Sequence, residues 1–555
     1  MIILIVLLSL LVVSPLCAQE RAQARAMVIT AQGVVSTSQT LASQAGAVIL
    51  ARGGSAVDAA IAANAVLGVT EPAFCGMGGD LFVIYWDARS GRLTGLNASG
   101  WTPKDFTVEF LKKNGLRRIP SSGIHSATIP GCVAGWDRLH RRYGKLPWRV
   151  LFDSAIFYAR QGFPLTEMFA AEWRGHPPGD SRFAEERRVF FPQGRAPQMG
   201  EIFRNPDLAH AYELVAHGGA DTFYRGALAR ALLATSQRYG GSMQASDLAE
   251  FSPEWVEPIS TNYRGWKVYE LPPNGQGVAA LLMLNILSQL PVAPAPQSAD
   301  DLHRKIEATK LAYADLGPNV ADPRFYEPPM ARLLSLGYAA ERARSIAQFS
   351  AACAVSSGVP QDDTTYVAVV DREGNIVSWI QSLSGFFGSG VVVDGMGFAL
   401  HNRANFTLDP NHPNTLTGRK RPFHTIIPGF MERENLHIGF GIIGGPNQPQ
   451  AHAQFVSNIA DYGMNIQAAL EAPRFKVLDN CSVIVEGRIK PEVQETLANR
   501  GHKLRVRAEY SFDVGFGEAV LHDSKSKVNY GASSPQGDGA AVPEPTPPAG
   551  RHPPN

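Results

Sequence analysis

The stretch from Thr364 to Ser384, TTYVAVVDREGNIVSWIQSLS, constrains the fold of this chain more than any other. Two runs rich in β-branched and aromatic residues flank a short polar segment, Asp371 to Asn375, whose glycine and asparagine are typical of a hairpin turn. The runs therefore predict two adjacent antiparallel strands. An isolated hairpin is only marginally stable, so this pair requires a larger sheet around it.

Thr364 and Thr365 stand at the front of the first run, directly behind two aspartates. Threonine is common in strands, so the pair by itself carries no functional information. A threonine hydroxyl becomes a good nucleophile when a base lies beside it, and cleavage just before Thr364 would supply one as a free α-amino group. Ser382 and Ser384 alternate onto one face of the second strand, where we expect them to hydrogen-bond the new amine and hydroxyl.

Helical patterns surround this hairpin and several further apolar runs. In GGSAVDAAIAANAVLGVTEP, Ser55 is a candidate N-cap with Asp58 three residues later, and small apolar residues on every face predict a fully buried helix. Residues 130–350 have mostly helical periodicity, whereas GVVVD, HTIIPGF and LHIGFGII are predicted strands, followed by a helix through HAQFVSNIADYG. Helices outside and two strand sets inside predict an α+β fold, a four-layer αββα sandwich.

Charge and motif content exclude several classes of function. The 555 residues contain 51 Lys and Arg against 50 Asp and Glu, without blocks of either sign, which disfavours nucleic acid or an anionic membrane as a partner. The sequence has no G-x-S-x-G, no H-E-x-x-H and no phosphate-binding GxxxxGK[ST], and its 14 histidines show no metal-ligand spacing. We therefore predict neither a metal nor a cofactor.

One glycine motif imitates a dinucleotide site. Gly439, Gly441 and Gly444 in GFGIIGGP satisfy G-x-G-x-x-G, but Pro446 follows at once and no alternating βαβ series surrounds the motif. A more suitable role for Gly444 and Gly445 is to present two backbone N–H groups on a loop without side chains, as an oxyanion hole requires.

The N-terminus suggests a secreted protein, whereas the C-terminal tail and the cysteines predict local features only. MIILIVLLSLLVVSPLCAQE predicts a signal peptide over residues 1–18, cleaved near Ala18, and hence a secreted or periplasmic location; a membrane anchor is the alternative. The Pro-rich tail from Val542 to the end, 542–555, is predicted to be disordered. Five scattered cysteines without CxxC spacing predict buried free thiols.

Several separated motifs carry a family resemblance. The run from Thr364 through FFGSGVVVDGMGFALHN resembles the start of the small subunit of the gamma-glutamyltranspeptidases, which are self-cleaving N-terminal nucleophile hydrolases. GGSAVDAAIAANAVLGVTEP and the glycine turn before GDLF resemble the large subunit of the same family, and KRPFHTIIP, GGPNQPQ and EAPRF match it downstream. The similarity covers nearly everything from Met27 to Ala541.

The resemblance implies a division of the chain and a nucleophile. Cleavage between Asp363 and Thr364 would leave a large subunit, 19–363, and a small subunit, 364–541, followed by the tail, the two fragments remaining together as a heterodimer. Thr364 would then be the nucleophile, with Gly444 and Gly445 as the oxyanion hole. No nucleic acid is implied as a partner, nor a membrane once the signal is removed.

The resemblance also assigns the supporting residues, and here the sequence departs from the family. Ser382 and Ser384 take the places of a threonine and an asparagine on the hairpin. His424 and Thr425 replace a serine pair after KRP, and Arg403 in HNRANF stands where a neutral or acidic residue is usual. His424 is open to two interpretations, a substrate contact or a structural histidine, and Arg403 either binds substrate or pairs with an internal carboxylate.

The largest departure affects substrate binding. Family members grip the α-carboxylate of the substrate with an arginine, but the matching segment LNASGWTP has Ser99 at that position. Losing such a bidentate contact weakens γ-glutamyl binding by roughly one or two orders of magnitude unless Arg403 compensates. These changes resemble the divergent branch that includes oxamate amidohydrolase and related acylases.

The sequence thus predicts a self-cleaving amidohydrolase similar to gamma-glutamyltransferases and glutathione hydrolases. Its expected substrate is a small amide, glutathione or another γ-glutamyl amide first, with water a more suitable acyl acceptor than an amine. The alternative is a non-glutamyl amidohydrolase or acylase of the same fold, acting on oxamate or a glutaryl amide. A more distant alternative is an unprocessed, inactive binding protein.

Overall fold

The computed structural model describes residues 23–178, 183–353, 363–479 and 481–546. The predicted signal peptide with its cleavage near Ala18, Cys17, the segment 354–362 before the predicted cleavage point and the final residues 547–555 lie outside the described residues. No helix among those described is long and apolar enough to cross a membrane.

The strands and helices follow in chain order. The strands are β1 (Val28–Thr30), β2 (Val34–Thr37), β3 (Asp80–Asp87), β4 (Arg92–Ala98), β5 (Phe163–Pro164), β6 (Ile202–Phe203), β7 (Glu254–Val256), β8 (Ile259–Tyr263), β9 (Trp266–Glu270), β10 (Asp363–Val370), β11 (Ile376–Ser384), β12 (Gly429–Arg433), β13 (Leu436–Ile442), β14 (Phe475–Asp479), β15 (Ser482–Glu486), β16 (Lys503–Arg507), β17 (Gly517–Asp523), β18 (Val528–Ser533) and β19 (Ala540–Pro543). The α-helices are α1 (Thr40–Ala51), α2 (Ala56–Thr70), α3 (Val108–Lys113), α4 (Cys132–Tyr143), α5 (Asp153–Gln161), α6 (Glu167–Gly175), α7 (Ala184–Phe190), α8 (Pro206–Tyr224), α9 (Ala227–Arg238), α10 (Ala245–Ala249), α11 (Gly277–Ser288), α12 (Ala299–Asn319), α13 (Met330–Leu333), α14 (Leu336–Arg344), α15 (Gln448–Tyr462), α16 (Ile466–Glu471) and α17 (Pro491–Asn499).

Two seven-stranded antiparallel sheets form the centre of the molecule. One has the order β1-β18-β17-β13-β12-β9-β8 and the other β19-β2-β10-β11-β3-β4-β7. One apolar cluster, which includes Phe82, Tyr366 and Phe430, fills the space between the sheets. Separate clusters lie between each sheet and its helices, one with α1, α2, α4 and α8 and the other with α11, α12 and α15. The predicted four-layer αββα sandwich is confirmed.

The hairpin β10–β11 lies at the centre of one sheet, because β2 pairs with β10 and β3 with β11. Its side chains alternate as the sequence predicts. Tyr366 and Ala368 face the other sheet, while Val367 and Val369 face the helices. Both faces are therefore buried, which explains the nearly continuous apolar character of the run.

Helix α2 packs behind this hairpin. Ser55 caps it, and the reciprocal bonds between Ser55 and Asp58 form the predicted capping box. Every residue of the helix is buried, as the absence of a polar face requires.

The glycines of GFGIIGGP serve the packing of the two sheets. A Cβ on Gly441 would lie 2.3 Å from the Tyr366 ring, and one on Gly439 would lie 2.6 Å from Ile376. Both glycines belong to β13, so they let the second sheet approach the β10–β11 hairpin closely.

Some predicted elements are wrong. GVVVD makes only a single bridge, Val392 to Ala399, because glycines with positive φ at 388, 390, 395 and 397 turn the chain there. In HTIIPGF the strand β12 begins only at Gly429. The tail is also ordered further than predicted, since Val542 and Pro543 pair with β2 as part of β19.

The prediction of free cysteines is wrong for one pair. Cys353 and Cys481 form a disulfide across a sequence separation of 128 residues. This pairing depends on the tertiary structure, which places Cys353 next to Cys481, the residue before β15. Cys75 and Cys132 are free and buried, as predicted.

Candidate active site

Thr364 lies at the start of β10 and is fully buried. Its Oγ1 donates a hydrogen bond to Ser382 Oγ at 3.5 Å and accepts one from Gln448 Nε2 at 3.4 Å. Ser382 belongs to the neighbouring strand β11, whereas Gln448 opens helix α15 beyond the opposite sheet. The hydroxyl therefore lies between strand β11 and the first residue of helix α15.

Gln448 is a residue that the sequence interpretation missed. Its Oε1 accepts a hydrogen bond from Ile427 N at 2.8 Å, which leaves the amide Nε2 directed at Thr364. Its position as the first residue of a helix, shortly after the double glycine, was the available signal.

Ser382 is the central hydroxyl of the site. Besides the contact with Thr364, its Oγ accepts hydrogen bonds from Ser384 N at 2.7 Å and from Arg403 Nη2 at 2.9 Å. Ser384 itself is buried at the end of β11, has a φ of 76° and stands opposite Asp363 in the ladder. The structure thus brings together the two hairpin serines, Arg403 and the predicted cleavage junction.

Arg403 is fully buried beside these hydroxyls. Its Nη2 reaches Ser382, and its Nη1 donates to Thr425 Oγ1. Its backbone N–H donates to His401 Nδ1 at 3.1 Å, which fixes the local course of the chain. A guanidinium therefore lies one serine away from Thr364, and the predicted substrate residues Arg403 and Thr425 contact each other.

Four residues behind this site, Asp80, His401, Arg403 and His424, are called the Asp80 cluster below. Asp80 Oδ2 accepts a hydrogen bond from His424 Nε2 at 2.9 Å, and Oδ1 accepts one from Gly100 N at 2.8 Å. Burial raises the pKa of the Asp80 carboxyl, but His401, His424 and Arg403 outweigh it and lower that pKa to about 2. Asp80 is therefore ionised at neutral pH.

The imidazole of His424 is a structural group of this cluster. Because Ile426 N donates to Nδ1, the ring proton lies on Nε2 and points at Asp80. Burial, and secondarily the charge of Arg403, lower the pKa of His424 to about 4, so the ring is neutral. Of the two interpretations of His424, these bonds favour the structural one.

Ser99 is also occupied by internal contacts. Its Oγ donates to Asn97 Oδ1 at 2.8 Å and accepts from Asn274 Nδ2 at 3.2 Å. It lies beside Gly100, which binds Asp80, and no hydrogen bond among the described residues joins it to Thr364. Ser99 thus neighbours the Asp80 cluster but not the hydroxyl chain that contains Thr364.

Gly444 and Gly445 form the turn between β13 and α15. Gly444 has a φ of 118°, and Gly445 a φ of 55°, backbone conformations that side chains rarely adopt. The hydrogen bonds of the described residues include none donated by either N–H, while the Gly445 carbonyl accepts from Gln276 Nε2 at 2.9 Å. The turn is held from behind, and Gln448, which reaches Thr364, follows it directly.

The glycine turn before GDLF also has a clear role. A Cβ on Gly79 would lie 2.5 Å from the Ser382 carbonyl oxygen and 2.3 Å from Gln381 Nε2. Only glycine therefore allows the chain before Asp80 to pass this close to the hairpin.

An open groove of about 710 Å³ adjoins the site. Gly385, Phe386 and Asn402 line it next to Ser384 and Arg403, and Phe512 and Asp513 line the opposite wall. The loop of Phe512 leads to Val514, whose carbonyl accepts from Asn447 Nδ2 at 2.7 Å in the turn of Gly444. The groove thus lies next to the site, although Thr364 itself is buried and does not line it.

A second buried polar group lies elsewhere, formed by His303, Glu307, Lys310 and His502 and called the Glu307 cluster below. His303 Nδ1 and His502 Nε2 are 2.8 Å apart, and His303 Nε2 bonds the Ala347 carbonyl, so His502 donates to His303. The side chains of His303, Glu307 and His502 are close enough to hold an ion. However, Lys310 Nζ already donates to Glu307 Oε1 at 2.6 Å, so the ammonium is the cation of this cluster.

The architecture, two antiparallel sheets between layers of helices, is that of the N-terminal nucleophile hydrolases. The model of the family described as Gamma-glutamyltranspeptidase matches residues 42–544. The chain belongs to this family, and is an enzyme of its hydrolase type.

Relatives in the family carry different names. The chain is 36% identical over 530 residues to the glutathione hydrolase-like YwrD proenzyme of Bacillus subtilis, covering 93% of this chain and 99% of the relative. It is 32% identical over 533 residues to the oxamate amidohydrolase proenzyme of Klebsiella pneumoniae, covering 93% and 99%. The crystal structure of a cephalosporin acylase from Bacillus halodurans superposes with a TM-score of 0.88 at 40% identity, covering 93% and 97%.

Proposed function

We propose that this protein is a self-cleaving amidohydrolase whose nucleophile is the Thr364 hydroxyl. The observation that carries the proposal is the position of that hydroxyl at the start of a central strand, between Ser382 and Gln448. The adjacent turn of Gly444 and Gly445 supports it, because two N–H groups that have no acceptor among the described residues suit a developing oxyanion. Three relatives with the printed name of proenzyme add further support.

Maturation would begin with attack of Thr364 Oγ on the carbonyl carbon of Asp363. The peptide C–N bond breaks, the acyl group passes to the oxygen as an ester, and the former amide nitrogen becomes the Thr364 amine. Water then hydrolyses the ester and leaves a carboxylate on Asp363. The products are a large fragment ending at Asp363 and a small fragment beginning at Thr364. After export and removal of residues 1–18, we assign residues 19–363 to the large fragment, and to the small fragment the subunit 364–541 together with the tail 542–555.

In the mature enzyme the Thr364 amine accepts the proton as Oγ attacks the amide carbonyl of the substrate. Gly444 and Gly445 stabilise the tetrahedral oxyanion, and the amine returns the proton to the leaving amine. Water, activated by the same amine, then releases the acyl group as a carboxylic acid. Ser382 and Gln448 hold Oγ in position through both steps.

The first substrates to test are γ-glutamyl amides such as glutathione. A second candidate is a non-glutamyl acyl group, which is favoured by one observation: Ser99, at the place of the carboxylate-binding arginine, is engaged by Asn97 and Asn274. Relatives with the printed names oxamate amidohydrolase and acylase are consistent with it.

Mass spectrometry of the purified protein tests the proposal. We expect a small fragment that begins at Thr364 in the wild type, an uncut chain in Thr364→Ala, and normal cleavage in the matched control Thr365→Val, whose hydroxyl contacts the Gln381 carbonyl and the Cys75 thiol. A wild-type chain that remains intact on prolonged incubation, or a fragment that begins elsewhere, would contradict the proposal.

Turnover of three amides side by side distinguishes the acyl groups. A γ-glutamyl anilide, oxamate and a glutaryl anilide present a carboxylate at different distances from the scissile carbonyl. Preference for the γ-glutamyl anilide supports glutathione hydrolase activity, whereas preference for either of the others supports the second candidate.

A further inference from the structure

We propose that the disulfide between Cys353 and Cys481 becomes a covalent link between the two fragments of the mature enzyme. The inference rests on the proposed cleavage before Thr364, because that residue lies between the two cysteines in the sequence. Cleavage hydrolyses only the amide bond between Asp363 and Thr364 and leaves the sulfur–sulfur bond intact. A bridge within one chain thereby becomes a bridge between two chains.

The first step of the argument is the position of each cysteine relative to the cut. Cys353 lies eleven positions before Thr364 and would belong to the large fragment, near its new carboxyl end. Cys481 lies 117 positions after Thr364, directly before β15, and would belong to the small fragment. The Cα atoms of the pair are 5.0 Å apart, within the ordinary range of disulfides.

The second step is the backbone on the Cys353 side of the bridge, which is bonded to both fragments. Ala351 N donates to the Arg500 carbonyl of the small fragment at 2.7 Å. Ala352 N donates to Glu307 Oε2 of the large fragment at 3.2 Å, and the Ala352 carbonyl accepts from Lys310 Nζ at 3.1 Å. The two residues before Cys353 therefore hold it beside the small fragment independently of the sulfur atoms.

The Cys481 side is held within the small fragment. Cys481 is buried, and its carbonyl accepts a hydrogen bond from Lys503 N at 2.7 Å, beside the pairing of β15 with β16. Each half of the bridge thus lies on backbone that its own contacts position.

The third step is the state of the other described cysteines. Cys75 and Cys132 are free and buried, and both would belong to the large fragment. Burial raises the pKa of both thiols well above the usual range, so they stay protonated, whereas the thiolate is the form that attacks a disulfide. No thiol among the described residues is therefore in a state to exchange with the bridge.

The fourth step is the assembly of the fragments without the bridge. Both central sheets combine strands of the two fragments, and strand pairings cross between them at β1–β18, β9–β12, β2–β19, β2–β10 and β3–β11. These pairings would keep the fragments associated in the native enzyme. The bridge acts where the pairings are lost, in the unfolded state.

This placement has a consequence for unfolding. Two unlinked fragments separate into two molecules when they unfold, so dilution favours the unfolded state. A covalent link keeps the fragments in one molecule, where the effective concentration of each for the other does not depend on dilution. The stability of the linked enzyme is therefore independent of protein concentration.

Denaturing gels with and without reductant test the bridge after free thiols have been alkylated. A dithiol reductant opens the bridge by exchange, becomes a disulfide itself and leaves one thiol on each fragment. We expect one wild-type band near full mass without reductant and two bands with it, and two bands under both conditions in Cys353→Ser. Cys132→Ser, which removes a free buried thiol, is the matched control and is expected to behave as the wild type.

The gel distinguishes failure of the bridge from failure of the cleavage. Two wild-type bands without reductant would overturn the inference. One wild-type band under both conditions would contradict the proposed cleavage, and alkylation of two rather than four of the cysteines after residue 18 would then still report the bridge. If Cys353→Ser does not mature, Cys481→Ser removes the same bridge from its other side.

Urea unfolding at two protein concentrations tests the consequence. We expect the midpoint of the wild type and of Cys132→Ser to be the same at both concentrations. In Cys353→Ser, each tenfold dilution is expected to lower the apparent free energy of unfolding by about 1.4 kcal/mol, because the fragments separate. A wild-type midpoint that falls on dilution would overturn the inference.

Discussion

The two buried polar clusters of this protein have the same ingredients but different arrangements. Each contains two histidines, one carboxylate and one cation, and all four side chains are buried. In the Glu307 cluster, Lys310 bonds directly to the carboxylate, and the histidines bond to each other. In the Asp80 cluster the histidine holds the carboxylate, and the cation is directed at the hydroxyls of Ser382 and Thr425.

This difference separates a structural role from a role at the site. In the Glu307 cluster Lys310 pairs with Glu307, and both residues bind the backbone of Ala352 beside the disulfide. In the Asp80 cluster, Arg403 donates to Ser382, the serine that contacts Thr364. Similar residues in similar burial thus differ in what their cation binds, a carboxylate in one cluster and hydroxyls in the other.

Removal of either carboxylate is expected to have the largest effect. Glu307→Gln removes the buried charge that Lys310 binds, and Asp80→Asn removes the buried charge that His424 and Gly100 N bind, so we expect each to lower the free energy of unfolding by about 3–5 kcal/mol. Urea unfolding at pH 7.5 measures this loss. Activity per folded molecule is expected to stay at the wild-type level in Glu307→Gln and to fall in Asp80→Asn. Equal activity in both variants would contradict the idea that only the Asp80 cluster affects the site.

Thr425→Val tests the cation of the Asp80 cluster from its other side. It removes the hydroxyl that accepts from Arg403 Nη1, and hydrogen bonds to charged groups contribute about 1.5–3 kcal/mol. We expect a loss of stability of that size together with reduced turnover, while Thr425→Ser retains both. Full activity in Thr425→Val would show that Arg403 does not need this support.

We expect the buried histidines of both clusters to lower the free energy of unfolding in acid. Burial lowers the pKa of His424 to about 4 and that of His502 to about 3. Between these values and the unfolded value near 6.5, the unfolded chain binds more protons than the native protein, so stability falls as pH falls from 6.5 toward 4. Each ring accounts for about 2 kcal/mol at pH 5.

The contribution of each ring is measured by urea unfolding of His502→Gln, His424→Gln and the wild type at pH 7.5 and pH 5. Each variant is expected to lose about 2 kcal/mol less than the wild type between the two pH values. A wild-type-like decrease in both variants would mean that neither ring is held neutral.

The smallest effect is expected at an exposed ion pair outside both clusters. Lys145 Nζ lies 2.6 Å from Glu373 Oε2, but the side chains are 46% and 61% exposed. Glu373→Gln is therefore expected to change the free energy of unfolding by less than about 1 kcal/mol in the same urea experiment. If Glu373→Gln lowered the free energy of unfolding as much as Glu307→Gln, burial would not explain the large effect expected for the buried carboxylates.

Local patterns predicted the framework of the molecule well. The hairpin β10–β11, the capped helix α2 and the layered sandwich follow from side-chain periodicity, because the positions of the apolar residues show which face of each element must be buried. GVVVD was mispredicted as a strand because glycines with positive φ, which composition does not report, override the strand propensity of its valines.

The site was predicted only in part. Thr364, Ser382 and Arg403 lie together as the motifs suggested, whereas Ser99 is held in another hydrogen-bond network. Gln448 and Asp80 were missed, because their roles depend on contacts with strands distant in sequence.

By itself, the sequence determined which strand residues alternate between the two faces of a sheet, that helix α2 is buried, and that two threonines stand at the start of β10. These properties depend on neighbours only a few residues away. Only the tertiary structure decided that Arg403 faces Ser382 and that Cys353 meets Cys481. Both contacts join residues far apart in the chain, and no local energy term selects such partners before the sheets and helices have packed.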